Sequence, residues 1–166
     1  MSGFNVVENG AIVPLYTPID VDGLAGAKSP VVCLMENWTH ASIIISVGQL
    51  PRAAGVITVN SCDDVVPTTE TAIDFPYYRY ATSSKLANGD VHGDLTWATA
   101  AAGIIPVATG VENIFVIELD ADMLVMGDVG FRLCIADPGA ASVMSAVAVM
   151  SGARYADKGT TNMAVI

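Results

Sequence analysis

Asp90-Val91-His92-Gly93-Asp94 sets an imidazole between two carboxylates at alternate positions of the chain. On an extended strand alternate residues share a face, and such a set could hold a divalent metal, the start of a metal-dependent enzyme. The Asn88-Gly89 pair just before it is turn chemistry, which makes the stretch a loop whose polar side chains meet water. The other histidine, His40, leads into an apolar run and reads as a strand-end residue. The remaining acidic pairs are Asp20-x-Asp22, Asp63-Asp64 and Asp120-x-Asp122. Each falls at the end of an expected strand, where an aspartate accepts backbone N–H groups and shapes a turn. Glycoside hydrolysis needs two carboxylates at a set separation across a cleft, which sequence spacing does not supply. No nucleophile elbow, phosphate-binding loop or dinucleotide fingerprint occurs, and Gly23-x-x-Gly26 and Gly127-x-x-Gly130 read as turn glycines. No catalytic residue, cofactor or metal ligand is assigned, and the chain is not expected to be an enzyme.

Cys33, Cys62 and Cys134 lie far apart inside apolar runs, with no C-x-x-C spacing and no Cys/His cluster. They are expected to be buried thiols used as small hydrophobes, in keeping with assembly in a reducing cytoplasm. Asn37-Trp38-Thr39 matches a glycosylation acceptor. Met1-Ser2-Gly3-Phe4-Asn5 lacks the basic stretch and apolar core of a secretory signal, so export is not expected. The 17 acidic residues against 7 basic ones leave a formal net charge of -10. That charge repels phosphate backbones, and nucleic acid is not an expected partner.

Tyr77-Tyr78-Arg79-Tyr80 carries a signal for contact, not catalysis. On a strand Tyr78 and Tyr80 share one face, while Tyr77 goes with Arg79 on the other. Tyrosine and arginine are enriched at protein interfaces, and a sheet face rimmed by tyrosine hydroxyls gives the same pattern. The chain also closes on Met163-Ala164-Val165-Ile166, an apolar end with little reason to stay in water. It is expected to dock on a neighbouring molecule. The interface candidates are Tyr77, Tyr78, Arg79, Tyr80, Met163, Val165 and Ile166.

These residues must be positioned by β-structure. The chain is 52% hydrophobic and 14% charged, where an ordinary soluble domain has about 25% charged residues. The apolar residues fall in short β-rich runs at 31–36, 41–47, 55–62, 77–82, 95–100, 114–119, 131–136 and 143–150, separated by Gly, Pro, Asn and Asp. In 55–62, Val56, Thr58, Asn60 and Cys62 alternate with Ile57, Val59 and Ser61. Two stretches resist. Residues 67–73 are expected to open as a helical turn capped by Thr68 or Thr69, and 121–126 as a short connector of helix-forming residues. The longest uncharged stretches, Leu95 to Val111 and Pro138 to Ala153, are interrupted by Gly and Pro and are too short to span a bilayer. A membrane β-barrel is set aside with the export signal. The expected fold is all-β, a jelly-roll-like antiparallel β-sandwich with extended terminal arms. Residues 1–30 form an N-terminal arm and first strand, 31–155 the sandwich, and 156–166 a C-terminal tail.

Several phrases carry a resemblance. Glu36-Asn37-Trp38-Thr39-His40-Ala41-Ser42-Ile43-Ile44-Ile45 is followed by an alternating strand and Cys62-Asp63-Asp64. Then come Thr68-Thr69-Glu70-Thr71-Ala72-Ile73 with Tyr77-Tyr78, Asn113 to Leu119, and Val147 to Tyr155. The arrangement resembles small proteins of the head-gene modules of tailed bacteriophages. The resemblance lies in strand texture and short phrases, with no functional residues to transfer one by one. It implies a capsid decoration or cement protein, assembled in the host cytoplasm, that sits on the outer surface of the virion. Its partner would be the major capsid protein, with neighbouring subunits bridged by a dimer or trimer of the chain. A tail or head-to-tail connector component is the alternative within virions. A carbohydrate-binding β-sandwich module is the alternative outside them, although Trp38 and Trp97 both read as core residues.

Overall fold

The computed structural model describes residues 10–20, 27–28, 31–48, 55–80, 93–106, 113–137 and 143–153. These residues hold eleven strands in chain order. They are β1 (Ala11–Asp20), β2 (Ala27–Lys28), β3 (Cys33–Leu34), β4 (Trp38–Val47), β5 (Ile57–Cys62), β6 (Glu70–Ile73), β7 (Phe75–Tyr80), β8 (Thr96–Ala98), β9 (Asn113–Asp120), β10 (Gly130–Ile135) and β11 (Val143–Ala153). The front sheet has six strands in the order β1-β11-β4-β9-β7-β8, and the back sheet has five, β2-β10-β5-β6 with β3 also on β10. All pairings are antiparallel.

The chain passes between the sheets in jelly-roll fashion. β1-β11-β4-β9 face β2/β3-β10-β5-β6, and β7 with β8 extends the front sheet beyond β9. Strand alternation dictates which side chains meet between the sheets. Ala41, Ile43, Ile45 and Val47 of β4 are buried there, with Phe115, Ile117 and Leu119 of β9 and Met144, Ala146, Ala148 and Met150 of β11. Ile57 and Val59 of β5 and Phe131, Leu133 and Ile135 of β10 close the core from the back. Small faces large across the ladder: Ala148 lies opposite Ile43, and Ala146 opposite Ile45. Ser61 is buried among the apolar inward residues of β5, and its hydroxyl is fully employed. It donates to Asp128 Oδ2 at 2.5 Å and accepts the Val125 N–H at 3.1 Å.

β1 is an edge strand, which explains how it tolerates Pro14 and Pro18: a missing N–H is harmless on the side that has no neighbour. Register shifts around Tyr16 turn both Leu15 and Tyr16 inward, and the Tyr16 hydroxyl donates to Leu133 O of the back sheet. The segment read as an arm and first strand thus holds a strand integral to the front sheet and a short one on the back sheet.

Three expectations need correction. Residues 67–73 do not begin as a helical turn. Asp63 gathers the Thr68 N–H, the Thr68 hydroxyl and the Thr69 N–H at 2.6–3.1 Å, so those threonines donate to a turn instead of capping a helix. Glu70 then enters β6 opposite Cys62. Gly130 is not a turn glycine. It opens β10 where the backbone of Cys33 passes so close that a Cβ would strike its carbonyl. Trp97 is not a core residue. It sits on the outer side of the short edge strand β8, opposite Pro76, and is 59% exposed, whereas Trp38 is buried. Residues 121–126 do form a connector, opened by a 3-10 turn at Ala121–Met123.

Candidate docking face and histidine cluster

Alternation that sends one set of front-sheet residues inward sends the other set to the outer face, and the register aligns them in rows. One row crosses five strands: Pro14, Val147, Ile44, Val116 and Tyr78. At about 4.8 Å per strand it is about 19 Å wide. The next row holds Ile12, Val149, Ser42 and Glu118, and the row on the other side Ser145, Ser46 and Ile114. Ile44 is 39% exposed, and Ile12 and Ile114 are also exposed. β-branched side chains suit a pleated strand wherever they point, but an outward row of them on a solvated sheet loses the apolar/polar alternation that one-sided burial produces. The uncharged row makes this face a candidate docking surface.

The margin of this face carries its chemistry. His40 and Ser42 project outward from β4, and Asp120 and Glu118 stand directly opposite them on β9. His40 Nδ1 lies 2.7 Å from Asp120 Oδ1 and Nε2 2.8 Å from Glu118 Oε2, and both nitrogens donate when the imidazole is protonated. Ser42 Oγ donates to the same Glu118 oxygen at 2.6 Å and lies 3.2 Å from Nε2. Partial burial lowers the His40 pKa. Hydrogen bonds and charge from Asp120 and Glu118 outweigh it, and the imidazole is held above its ordinary value. The connectivity Ser–His–Asp is that of a hydrolytic triad, yet its roles are not filled. Both ring nitrogens face carboxylates, and the serine hydrogen points at Glu118 instead of at the imidazole.

The expected interface residues separate by face. Tyr77 turns inward, its ring 6.3 Å from Phe115, and the Arg79 guanidinium lies over the Phe115 ring and donates to Ile105 O at 3.1 Å. Both serve contacts within the chain. Tyr78 belongs to the outer apolar row, and the Tyr80 backbone pairs with Ile114. Met163, Val165 and Ile166 lie outside the described residues. So do Asp90 and His92; Asp94 is exposed. Among the described residues no group of three or more His, Cys, Asp and Glu side chains is arranged to hold a metal ion. No helix among them is long and apolar enough to cross a membrane.

The His40 cluster is not evident from sequence order alone. The signals were present, since His40 and Ser42 are two apart, as are Glu118 and Asp120, so each pair shares a strand face. What joins the pairs is the β4–β9 register, which brings together residues about 80 apart in the chain. Asp120 was read as a turn former, whereas its carboxylate is used across the sheet. Open hollows of about 310 Å³, beside Thr39, Asp120 and Asp122, and about 470 Å³, beside Glu36, Leu124 and Asp128, flank this end of the sandwich. No family model matches the chain, and no curated protein matches it in sequence.

Proposed function

We propose that this chain is a structural virion protein that binds the outer surface of a phage capsid and stabilises it by bridging neighbouring major capsid subunits. The observation that carries the reading is the uncharged, apolar row Pro14–Val147–Ile44–Val116–Tyr78 on the outer face of the front sheet, in a chain of net charge -10. A cement protein acts through contact area, at about 25 cal/mol per Å² of buried apolar surface less the cost of association. It needs neither a deep pocket nor a cofactor. The phrase-level resemblance to head-module proteins supplies the partner, and self-association into a dimer or trimer belongs to the same proposal.

The test is co-sedimentation of the purified protein with undecorated heads, with head stability measured alongside. Binding that raises head stability is expected. Ile44→Lys places a charge in the middle of the row, where little core packing is at stake. It should shift folding stability by less than about 0.5 kcal/mol while removing head binding. Failure of the wild type to bind any stage of head would defeat the proposal.

One observation favours a second reading. Trp97 stands exposed on the outer side of β8, with Leu95 and Ile105 also exposed, and an exposed indole is what a sugar-binding β-sandwich presents. Binding on a glycan array that Trp97→Ala abolishes would support this reading, and an empty array would end it.

A further inference from the structure

We propose that His40 and Asp120 form a proton-operated latch at the margin of the outer face: with His40 protonated the Asp120 carboxylate is held across the sheet, and with His40 neutral it swings to cap the 3-10 turn Ala121–Met123. The geometry supplies both positions. Asp120 occupies the N-cap of that turn with extended backbone (φ -91°, ψ 148°), yet makes no side-chain cap hydrogen bond. Aspartate is among the best residues for that position, through a bond to the backbone N–H two residues on. Here the carboxylate is drawn away to His40 Nδ1 at 2.7 Å instead.

Loss of one proton decides between the two. A neutral imidazole has a single N–H, so one carboxylate must then face a bare nitrogen lone pair. Glu118 is the better anchored: it keeps the Ser42 hydroxyl as a second donor, and its side chain is 31% exposed against 52% for Asp120. The remaining N–H therefore stays on Nε2, toward Glu118, and Asp120 is released. It lines a hollow of about 310 Å³ with Thr39, Ala121 and Asp122, which leaves room for the movement. Among the described residues the groups facing His40 are few. They are Ser42 on its own strand, Glu118 and Asp120 on β9, and Ser151 opposite on β11. None of these described groups is cationic, and the bond to His40 Nδ1 is what holds Asp120 across the sheet. The carboxylates raise the His40 pKa, which places the change above the ordinary imidazole value. Loss of the proton leaves the margin of the outer face one charge more negative. Its effect on docking rests on the capsid reading, whereas the latch itself does not.

Nuclear magnetic resonance titration of the full chain tests the latch. The His40 ring nitrogens, the Asp120 carboxyl carbon and the amides of Asp122 and Met123 should change together, with one midpoint above about 6.5. Above it the neutral ring should carry its proton on Nε2. In His40→Gln the Asp122 and Met123 amides should stay constant through that range. A neutral ring protonated on Nδ1, or amides of Asp122 and Met123 that ignore the His40 titration in the wild type, would overturn the latch. Co-sedimentation with undecorated heads should weaken by about two- to fivefold as pH rises through the midpoint, an effect of the size of a surface charge contact. In His40→Gln it should not vary with pH. If heads bind at no pH while the titration behaves as described, the capsid reading fails and the latch stands. Head binding without pH dependence would overturn only the link between the two.

Discussion

Asp63 shows how a single side chain can set a boundary between elements. Its carboxylate accepts from the Thr68 hydroxyl and from the backbone N–H groups of Thr68 and Thr69, and those bonds hold its pKa below the ordinary carboxylate value. A depressed pKa contributes stability that is present above the unfolded-state value and lost as pH falls through the folded one. Asp63→Asn should therefore lower stability at neutral pH and flatten the acid limb of the stability profile. Urea midpoints measured between about pH 2 and pH 6 check this. His40 has the opposite sign. Its raised pKa contributes stability fully present below about 6.5 and lost as pH rises through the folded value.

At the scale of elements, cross-strand pairs on the back sheet repeat the lesson of the front. Arg132 on β10 donates to Glu70 on β6 at 2.9 Å, with side chains only 17% and 12% exposed, and Asn60 on β5 between them donates to the other Glu70 oxygen at 3.1 Å. Arg132 Nε is buried and has no hydrogen-bond partner among the described residues. Breaking one member of such a pair leaves a buried charge and costs about 3 kcal/mol or more, whereas replacing both with apolar residues of similar volume costs much less. Glu70→Leu alone should thus destabilise more than Glu70→Leu combined with Arg132→Met, a double-mutant comparison read by denaturant midpoints. Strand existence was legible: the apolar run 41–47 lies in β4, and 131–136 gives β10 almost residue for residue. The partners were not. Glu70 looked like a helix-start residue because acidic residues favour first turns, and only the strand beside it shows that its carboxylate is used sideways. Trp97 looked buried because its neighbours are apolar, but among the described residues β8 is an edge strand, and on its outer side the indole is left 59% exposed.

At the scale of the molecule, the two sheets enclose thiols that report on the whole fold. Burial pushes the Cys33 and Cys62 thiols up to about 12, and both side chains are fully buried. The thiolate is the reactive form. Neither should react with a thiol reagent at about pH 8 faster than the native state opens globally, and added denaturant should accelerate labelling in step with unfolding. A faster, denaturant-independent reaction at Cys33 would show that the β3 side of the sandwich opens by itself. What the amino-acid order alone determined is the β-class of the chain, its main strands and most of its inward side chains, because alternation and turn chemistry act between residues a few positions apart. The tertiary structure decided which strands are neighbours, and with that the jelly-roll path, the apolar outer row and the His40–Glu118–Asp120 cluster. Strand pairing joins residues far apart in sequence, and a shift of one residue in register sends every side chain to the opposite face.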